Sequence, residues 1–338
     1  MSACYAPAPK PGSPCVDGTC PRPLVCSSAT LTCELTDVDS GTTPSDGPAD
    51  ATPADAIEHL IDGCTPSPEI CGDGIDQDCN GSDAQCPAND LASGAIDVTS
   101  GGTFTVNLAA AHDDNSPHGC GGAGGRDVFY KVNLTAPQVF YVDTFGSNFD
   151  TVVRVFAGAC TAIGATQTTT GCGDDSCGGK QSQLALSLPT GASCIVVDQK
   201  SSAETAGSVT LKITPEGRNG IALASGVQTN TGNTCNATNV MEPSAACADT
   251  GAPDIAYFFT ECPGAAQKLD ADTCVDGTYD SALYVRRGAT ELACNDDFCD
   301  VQSQITNVAI SGANFFWVVV DGYSSGDCGA YTLTTNLR

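Results

Sequence analysis

From residue 88 to its end, the chain alternates apolar and polar positions over short stretches. The first half carries TFTVNL (103–108), VFYKVNL (128–134), FYVDTF (140–145), TVVRVF (151–156), LALSLP (184–189), IVVD (195–198) and VTLKI (209–213). The second half carries IAYFF (255–259), ALYVRR (282–287), ITNVAI (305–310), FFWVVVDG (315–322) and YTLTTN (331–336). Clusters of Gly, Ser, Asn, Asp and Pro punctuate these runs. Period-two patterning puts one face of each strand on a core and the other in water, and no segment shows a helical period of useful length. The pattern predicts an all-β chain of antiparallel strands in sandwiches or barrels.

The pattern also occurs twice. Residues 149–184 read FDTVVRVFAGACTAIGATQTTTGCGDDSCGGKQSQL, and 279–305 read YDSALYVRRGATELACNDDFCDVQSQI. Both open on aromatic-Asp, continue through a β-branched run with an Arg, and reach Cys-x-Asp-Asp-x-Cys followed by Gln-Ser-Gln. Cys172 and Cys177 answer Cys294 and Cys299, and Asp127 answers Asp254, each seven residues after a cysteine (Cys120, Cys247). CIVVDQ (194–199) answers WVVVDG (317–322). Each unit is long enough to bury its own core, so these are tandem domains and not solenoid repeats. The organisation read from sequence is a Cys-rich mini-module (1–34), an acidic Pro/Thr/Ser linker (35–63), a Cys/Asp motif (64–87) and two β-sandwich repeats (88–216 and 217–338). The fold class is all-β: two tandem antiparallel jelly-roll-like β-sandwiches with a disulfide-rich N-terminal region.

Cysteine and charge narrow the setting. The 338 residues include 21 cysteines, and only three histidines accompany them. That favours a disulfide framework, and hence a secreted or surface location, over zinc sites. The odd cysteine out is Cys4, in Met-Ser-Ala-Cys. It resembles the end of a bacterial lipobox without the preceding apolar run, so Cys4 is a lipidation candidate; a free or intermolecular thiol is the plain alternative. A lipid there would be the chain's sole route to a membrane, because its longest apolar stretch (FFWVVV) is far below the roughly 20 residues of a spanning helix. Acidic residues outnumber basic ones 40 to 13, for a net charge of −27. This excludes nucleic acid as an expected partner and favours cations, calcium above all.

Three acidic constellations are the candidate metal sites. Asp76-Gln-Asp78-Cys-Asn80-Gly81 opens like a calcium loop, with Asp83 following; position twelve is Pro87, so this is not an EF-hand. Asp150, Asp174, Asp175 and Asp198 form the set of the first repeat, and Asp280, Asp296, Asp297 and Asp321 that of the second. An Asp opening one strand, a pair in a turn and an Asp ending another strand could converge on one Ca²⁺ at the end of a sandwich. Asp residues between cysteines can equally cap turns through backbone amides. Arg154 and Arg286 could pair with these carboxylates, which would argue against a metal, and Gln181 and Gln302 suit hydrogen bonds at the same edge. His112 and His118 flank HDDNSPH, which reads as a polar loop. Asp249-Thr250-Gly251 matches an aspartic-protease tripeptide but has no second copy to form a dyad.

The 64–86 segment resembles a Cys-and-Asp motif, CxDGxDxDCxGxxD in type, of secreted myxobacterial proteins, which implies metal binding. The repeat is similar to the bacterial pre-peptidase C-terminal domain. The carriers are Tyr279-Asp280-Ser281, Gly288, Ala293-Cys294-Asn295-Asp296-Asp297, Ser303, Asp321-Gly322-Tyr323, and Gly329 with Tyr331 and Leu333. The first copy departs from this pattern at Gly173 and Gln199. Tyr279-Asp280 with Leu283-Tyr284-Val285 and Gly288 also resembles the CUB domain, some members of which bind calcium through such an Asp. The resemblance implies a jelly-roll-like sandwich, extracellular placement in a Gram-negative bacterium and a binding or accessory role. The expected function is a non-catalytic, surface-anchored binding or adhesion protein, stabilised by calcium, with a carbohydrate or protein ligand at the cell surface. The alternative is an accessory targeting or regulatory module of an exported protease or hydrolase system. No enzyme activity is expected, since neither a His-Glu-x-x-His nor a Gly-x-Ser-x-Gly occurs.

Overall fold

A computed structural model describes residues 65–338 apart from 116–118, 165–166 and 250, together with 24–26 and 32–35. The chain divides into two compact units, Met1–Leu60 and Ile61–Arg338. Of the first, the described part is an antiparallel hairpin of β1 (Leu24–Cys26) and β2 (Cys33–Leu35). Cys4 and most of the mini-module and linker lie outside the described residues.

The second unit holds two β-sandwiches in sequence. In the first, a five-stranded sheet runs β3 (Ile96–Asp97), β5 (Asp127–Leu134), β10 (Gly191–Gln199), β7 (Thr151–Ala157), β8 (Gly171–Asp174). It faces a four-stranded sheet of β4 (Gly102–Asn107), β11 (Ser208–Pro215), β6 (Gln138–Asp143), β9 (Gln183–Leu188). The second sandwich repeats this order. One sheet is β12 (Ile221–Ala222), β14 (Ile255–Thr260), β19 (Phe315–Gly322), β16 (Ser281–Arg287), β17 (Thr290–Asn295); the other is β13 (Gly226–Asn233), β20 (Ala330–Leu337), β15 (Gln267–Val275), β18 (Gln304–Ile310). All pairings are antiparallel except the two-residue edge strands β3 and β12. The architecture is all-β and jelly-roll-like, and no described helix is long and apolar enough to cross a membrane.

Each sandwich buries its own core. Val128, Tyr130, Phe140, Val153, Ile195 and Leu211 belong to the first, and Tyr257, Leu269, Leu283, Phe316, Val318 and Leu333 to the second. A third apolar cluster lies between them. Val139 and Tyr141 on the outer face of the first sandwich meet Phe258, Tyr284, Phe315, Trp317 and Val319 on the outer face of the second. Strand β19 is therefore buried on both faces, which explains why FFWVVV is continuous where other strands alternate. Phe258, Phe315 and Trp317 pack edge-on or stacked within 5.8 Å of one another, and the Trp317 indole donates to Glu216 at 3.2 Å.

Seven disulfides join described cysteines, and Cys79 is disulfide-bonded as well. Cys120–Cys172 and Cys247–Cys294 are one bridge in two copies. The equivalence then breaks: Cys299 closes back onto Cys274 within its own sandwich, whereas Cys177 reaches across to Cys262 of the other. Disulfides on this scale place the protein in an oxidising, extracytoplasmic setting.

Candidate functional site

The Cys/Asp loop is a knot of carboxylates on backbone amides. Asp76 accepts from the amides of Asn80 (3.0 Å) and Gly81 (2.7 Å), and Asp78 accepts from the Asn80 amide at 3.0 Å and its side chain at 2.9 Å. Gly81 sits at φ +98°, a backbone state open to glycine, so the chain can fold back under Asp76. Glu69, 8% exposed, is a residue the sequence reading passed over. Its carboxylate accepts from the amides of Asp78 (2.7 Å) and Ala84 (3.1 Å). Glu69, Asp76 and Asp78 each offer an oxygen within 4.8 Å of the others. Asp83 turns away, onto the Gly72 and Gly74 amides, and Asn80 spends its side-chain oxygen on Ser82. The sequence signal for Glu69 was its place two residues before Cys71, which pairs with Cys86.

This loop rests on the first sandwich. The Cys71 amide donates to Ala110, and Arg126 donates to the Glu69 carbonyl at 2.8 Å. Asp90, 2% exposed, takes the His112 amide at 2.9 Å and its Nδ1 at 2.7 Å. That bond raises the His112 pKa above its ordinary value, against the opposing effect of burial. His112 is thus a structural clasp, while its sequence companion His118 lies outside the described residues. Of Asp249-Thr250-Gly251, Thr250 is likewise outside them; the Asp249 amide donates to the Tyr323 carbonyl.

At the end of the first sandwich, the structure brings Asp150, Asp174 and Asp175 together, with one oxygen of each within 4.8 Å of the others. Two lysines share this corner. Lys200 contacts Asp174 at 3.3 Å and Asp175 more closely, and Lys180 lies 3.8 Å from Asp150. Asp198 is not part of this group. It is 3% exposed, paired across strands with Asp127, and ion-paired to Arg154, whose side chain is wholly buried. Burial pushes Asp198 up to about 7, outweighing the Arg154 guanidinium, and pushes Asp127 up to about 8.

The second sandwich rebuilds the same positions with other chemistry. Tyr284 pairs with Cys294 as Arg154 pairs with Cys172, so Tyr284, and not Arg286, is the counterpart of Arg154. The Tyr284 hydroxyl donates to Asp321 at 3.1 Å, and burial pushes Asp321 up to about 7. Arg286 lies over the Tyr284 ring at 5.8 Å. Asp254, the counterpart of Asp127, accepts from the Val240 and Met241 amides. Asp280 faces Asp296, Asp297 and Asp327, and these neighbours add to burial in raising its pKa. Gln181 and Gln302 fill equivalent bonds, to the Ser147 and Gly277 carbonyls.

No family model and no curated protein matches the chain. Among solved structures, the CUB1-EGF-CUB2 domain of human MASP-1/3 aligns at 10% identity over 70% of this chain and 99% of that one, with a TM-score of 0.20. The triple jelly-roll protein of an archaeal virus aligns at 10% identity over 70% of this chain, with a TM-score of 0.21; the chain spans 59% of that protein's length. The M60 catalytic domain with two CBM51 domains of Clostridium perfringens ZmpB aligns at 9% identity over 63% of this chain and 34% of that one, with a TM-score of 0.16.

Proposed function

We propose that this extracellular protein is a non-catalytic binding protein of the bacterial surface, held there through Cys4 or released, with calcium in its Cys/Asp loop. The carrying observation is where the exposed aromatics lie. The large hydrophobics exposed among the described residues include two aromatics, Phe298 and Tyr323, and both flank the acidic end of the second sandwich. Among the described residues, Phe140 fills the first core, Phe316 the second, and Trp317 and Phe258 the interface, while Phe129 and Phe156 pack around the Cys160–Cys194 bridge. Aromatics left in water at a loop end suit recognition of a carbohydrate or protein ligand, and sandwich loops commonly carry that role. Resemblance to the pre-peptidase C-terminal domain supports the same class of role.

Calcium fits the Cys/Asp loop on the donor set: hard carboxylate oxygens, three of them convergent, in a loop pinned by disulfides. The sandwich corner of Asp150, Asp174 and Asp175 is a poorer candidate, because Lys180 and Lys200 already supply its positive charge. The test is calorimetric titration of Ca²⁺ into the EDTA-stripped, non-reduced chain, with Glu69→Gln beside it. One saturable site, weakened at least about tenfold in the variant, supports the reading. Absence of Ca²⁺ heat removes calcium from it, and turnover of a protein or glycoside substrate by the purified chain removes the non-catalytic role.

A further inference from the structure

The acidic ends of the two sandwiches are the same in backbone and differ in their counter-ions. In the first, the Thr151 amide donates to the Lys180 carbonyl and the Lys200 amide to the Asp150 carbonyl. In the second, the Ser281 amide donates to the Val301 carbonyl and the Tyr323 amide to the Asp280 carbonyl. Val301 therefore occupies the place of Lys180, and Tyr323 that of Lys200. The first end carries its own counter-ions: ammonium groups on long stems, 3.3 Å from Asp174 and 3.8 Å from Asp150.

The second end keeps the carboxylates and loses both lysines. Among the described residues, no Lys or Arg forms an ion pair with Asp280, Asp296, Asp297 or Asp327. One Asp280 carboxylate oxygen is buried with no hydrogen-bond partner. Tyr323 and Val301 are tied by backbone bonds to Asp280 and its neighbour Ser281, and Phe298 follows Asp297; they are 37%, 38% and 60% exposed. The carboxylates of the first end converge within 4.8 Å, whereas among the described residues those of the second form no such group. An ammonium pairs with carboxylates while its alkyl stem lies along apolar surface.

We infer that the end of the second sandwich binds a lysine side chain presented by a partner protein. The ammonium takes the seat that Lys200 fills in the first sandwich, and Phe298, Val301 and Tyr323 pack against the methylene stem. This deepens the surface-binding role proposed above and rests on it. Lysine suits the seat because its charge is compact and its stem flexible, as the in-chain example in the first sandwich illustrates.

The test uses the full, isotope-labelled, non-reduced chain in EDTA. The probe is a short capped peptide of glycine and serine with one central lysine, and its Nε-acetylated twin is the control. The expected result is saturable amide shifts confined to 295–303 and 321–327, absent with the acetylated twin. Tyr323→Lys installs the first sandwich's own residue and should weaken peptide binding about tenfold or more, with no fall in the thermal midpoint. Equal responses to the two peptides, shifts spread over the whole acidic surface, or undiminished binding by Tyr323→Lys would overturn the inference. If the labelled protein still coats bacterial cells while the lysine peptide fails, the partner class is wrong and the surface role stands. Specific lysine binding without any attachment to cells keeps the site and removes the surface role.

Discussion

Arg154 and Tyr284 solve one problem in two ways. Each lies on the strand next to the edge of its five-stranded sheet, β7 or β16, opposite a disulfide cysteine, and serves a buried aspartate, Asp198 or Asp321. Removing Arg154 leaves a buried charge without its partner, so Arg154→Leu should cost about 3–5 kcal/mol at pH 8, read by denaturant unfolding, and less at pH 5, where Asp198 takes up a proton. Tyr284→Phe removes one hydrogen bond and should cost about 1–2 kcal/mol. A pH dependence follows from the raised carboxyls. Asp127 near 8 and Asp198 and Asp321 near 7 hold protons in the folded state that an unfolded chain releases near 3.8. Their contribution is full below the unfolded value and lost as pH climbs through the folded one. His112, raised by Asp90, acts with the same sign, full below 6.5 and lost above its folded value. The thermal midpoint should therefore fall steadily between pH 5 and pH 9, and a flat or rising midpoint would refute this. The acidic residues were plain in the sequence. That Arg154 matches Tyr284 follows from counting four residues on from Asp150 and Asp280, but matching by charge draws the sequence comparison to Arg286, two residues further along the strand.

At the level of elements, strand signals were legible wherever one face meets water. β20 alternates strictly, and its outward residues Thr332, Thr334 and Asn336 are only partly buried. β19 gave a longer apolar run, whose outer face, Phe315, Trp317 and Val319, marks the contact between sandwiches. The sequence held that signal, but a run buried on both faces does not say what covers it. The turn after β19 is equally constrained: a Cβ on Gly322 would lie 2.0 Å from the Asp327 carbonyl oxygen and 2.9 Å from Ala252. Gly322→Ala should destabilise the second sandwich by about 1–3 kcal/mol, measured as a lowered denaturation midpoint, since the loop bearing Tyr323 must shift. The first copy has Gln199 at this position. Its side-chain amide instead donates to the Ser201 and Glu204 carbonyls, so the departure noted in sequence is a different way of tying the same turn.

At the level of the whole molecule, Cys177 and Cys299 look alike in sequence and act differently. Their neighbours match, yet Cys274 lies in reach of Cys299, whereas the first sandwich has Phe145 after its equivalent Thr144 and leaves Cys177 to pair outward with Cys262. That bridge and the aromatic cluster both join the two sandwiches, which should therefore unfold together. Cys177→Ser with Cys262→Ser should remove about 3–4 kcal/mol of loop-closure stabilisation, and Trp317→Ala added to it should split the single calorimetric transition in two. In the proposed role, the Phe298 and Tyr323 loops form the ligand-binding end. The most direct measurement is equilibrium binding of the labelled, non-reduced full-length chain to intact Gram-negative cells, in Ca²⁺ and in EDTA. The account predicts saturable binding, displaced by unlabelled protein, weakened by EDTA and largely lost when Phe298 and Tyr323 are both changed to Ala. No saturable binding in either buffer would contradict it.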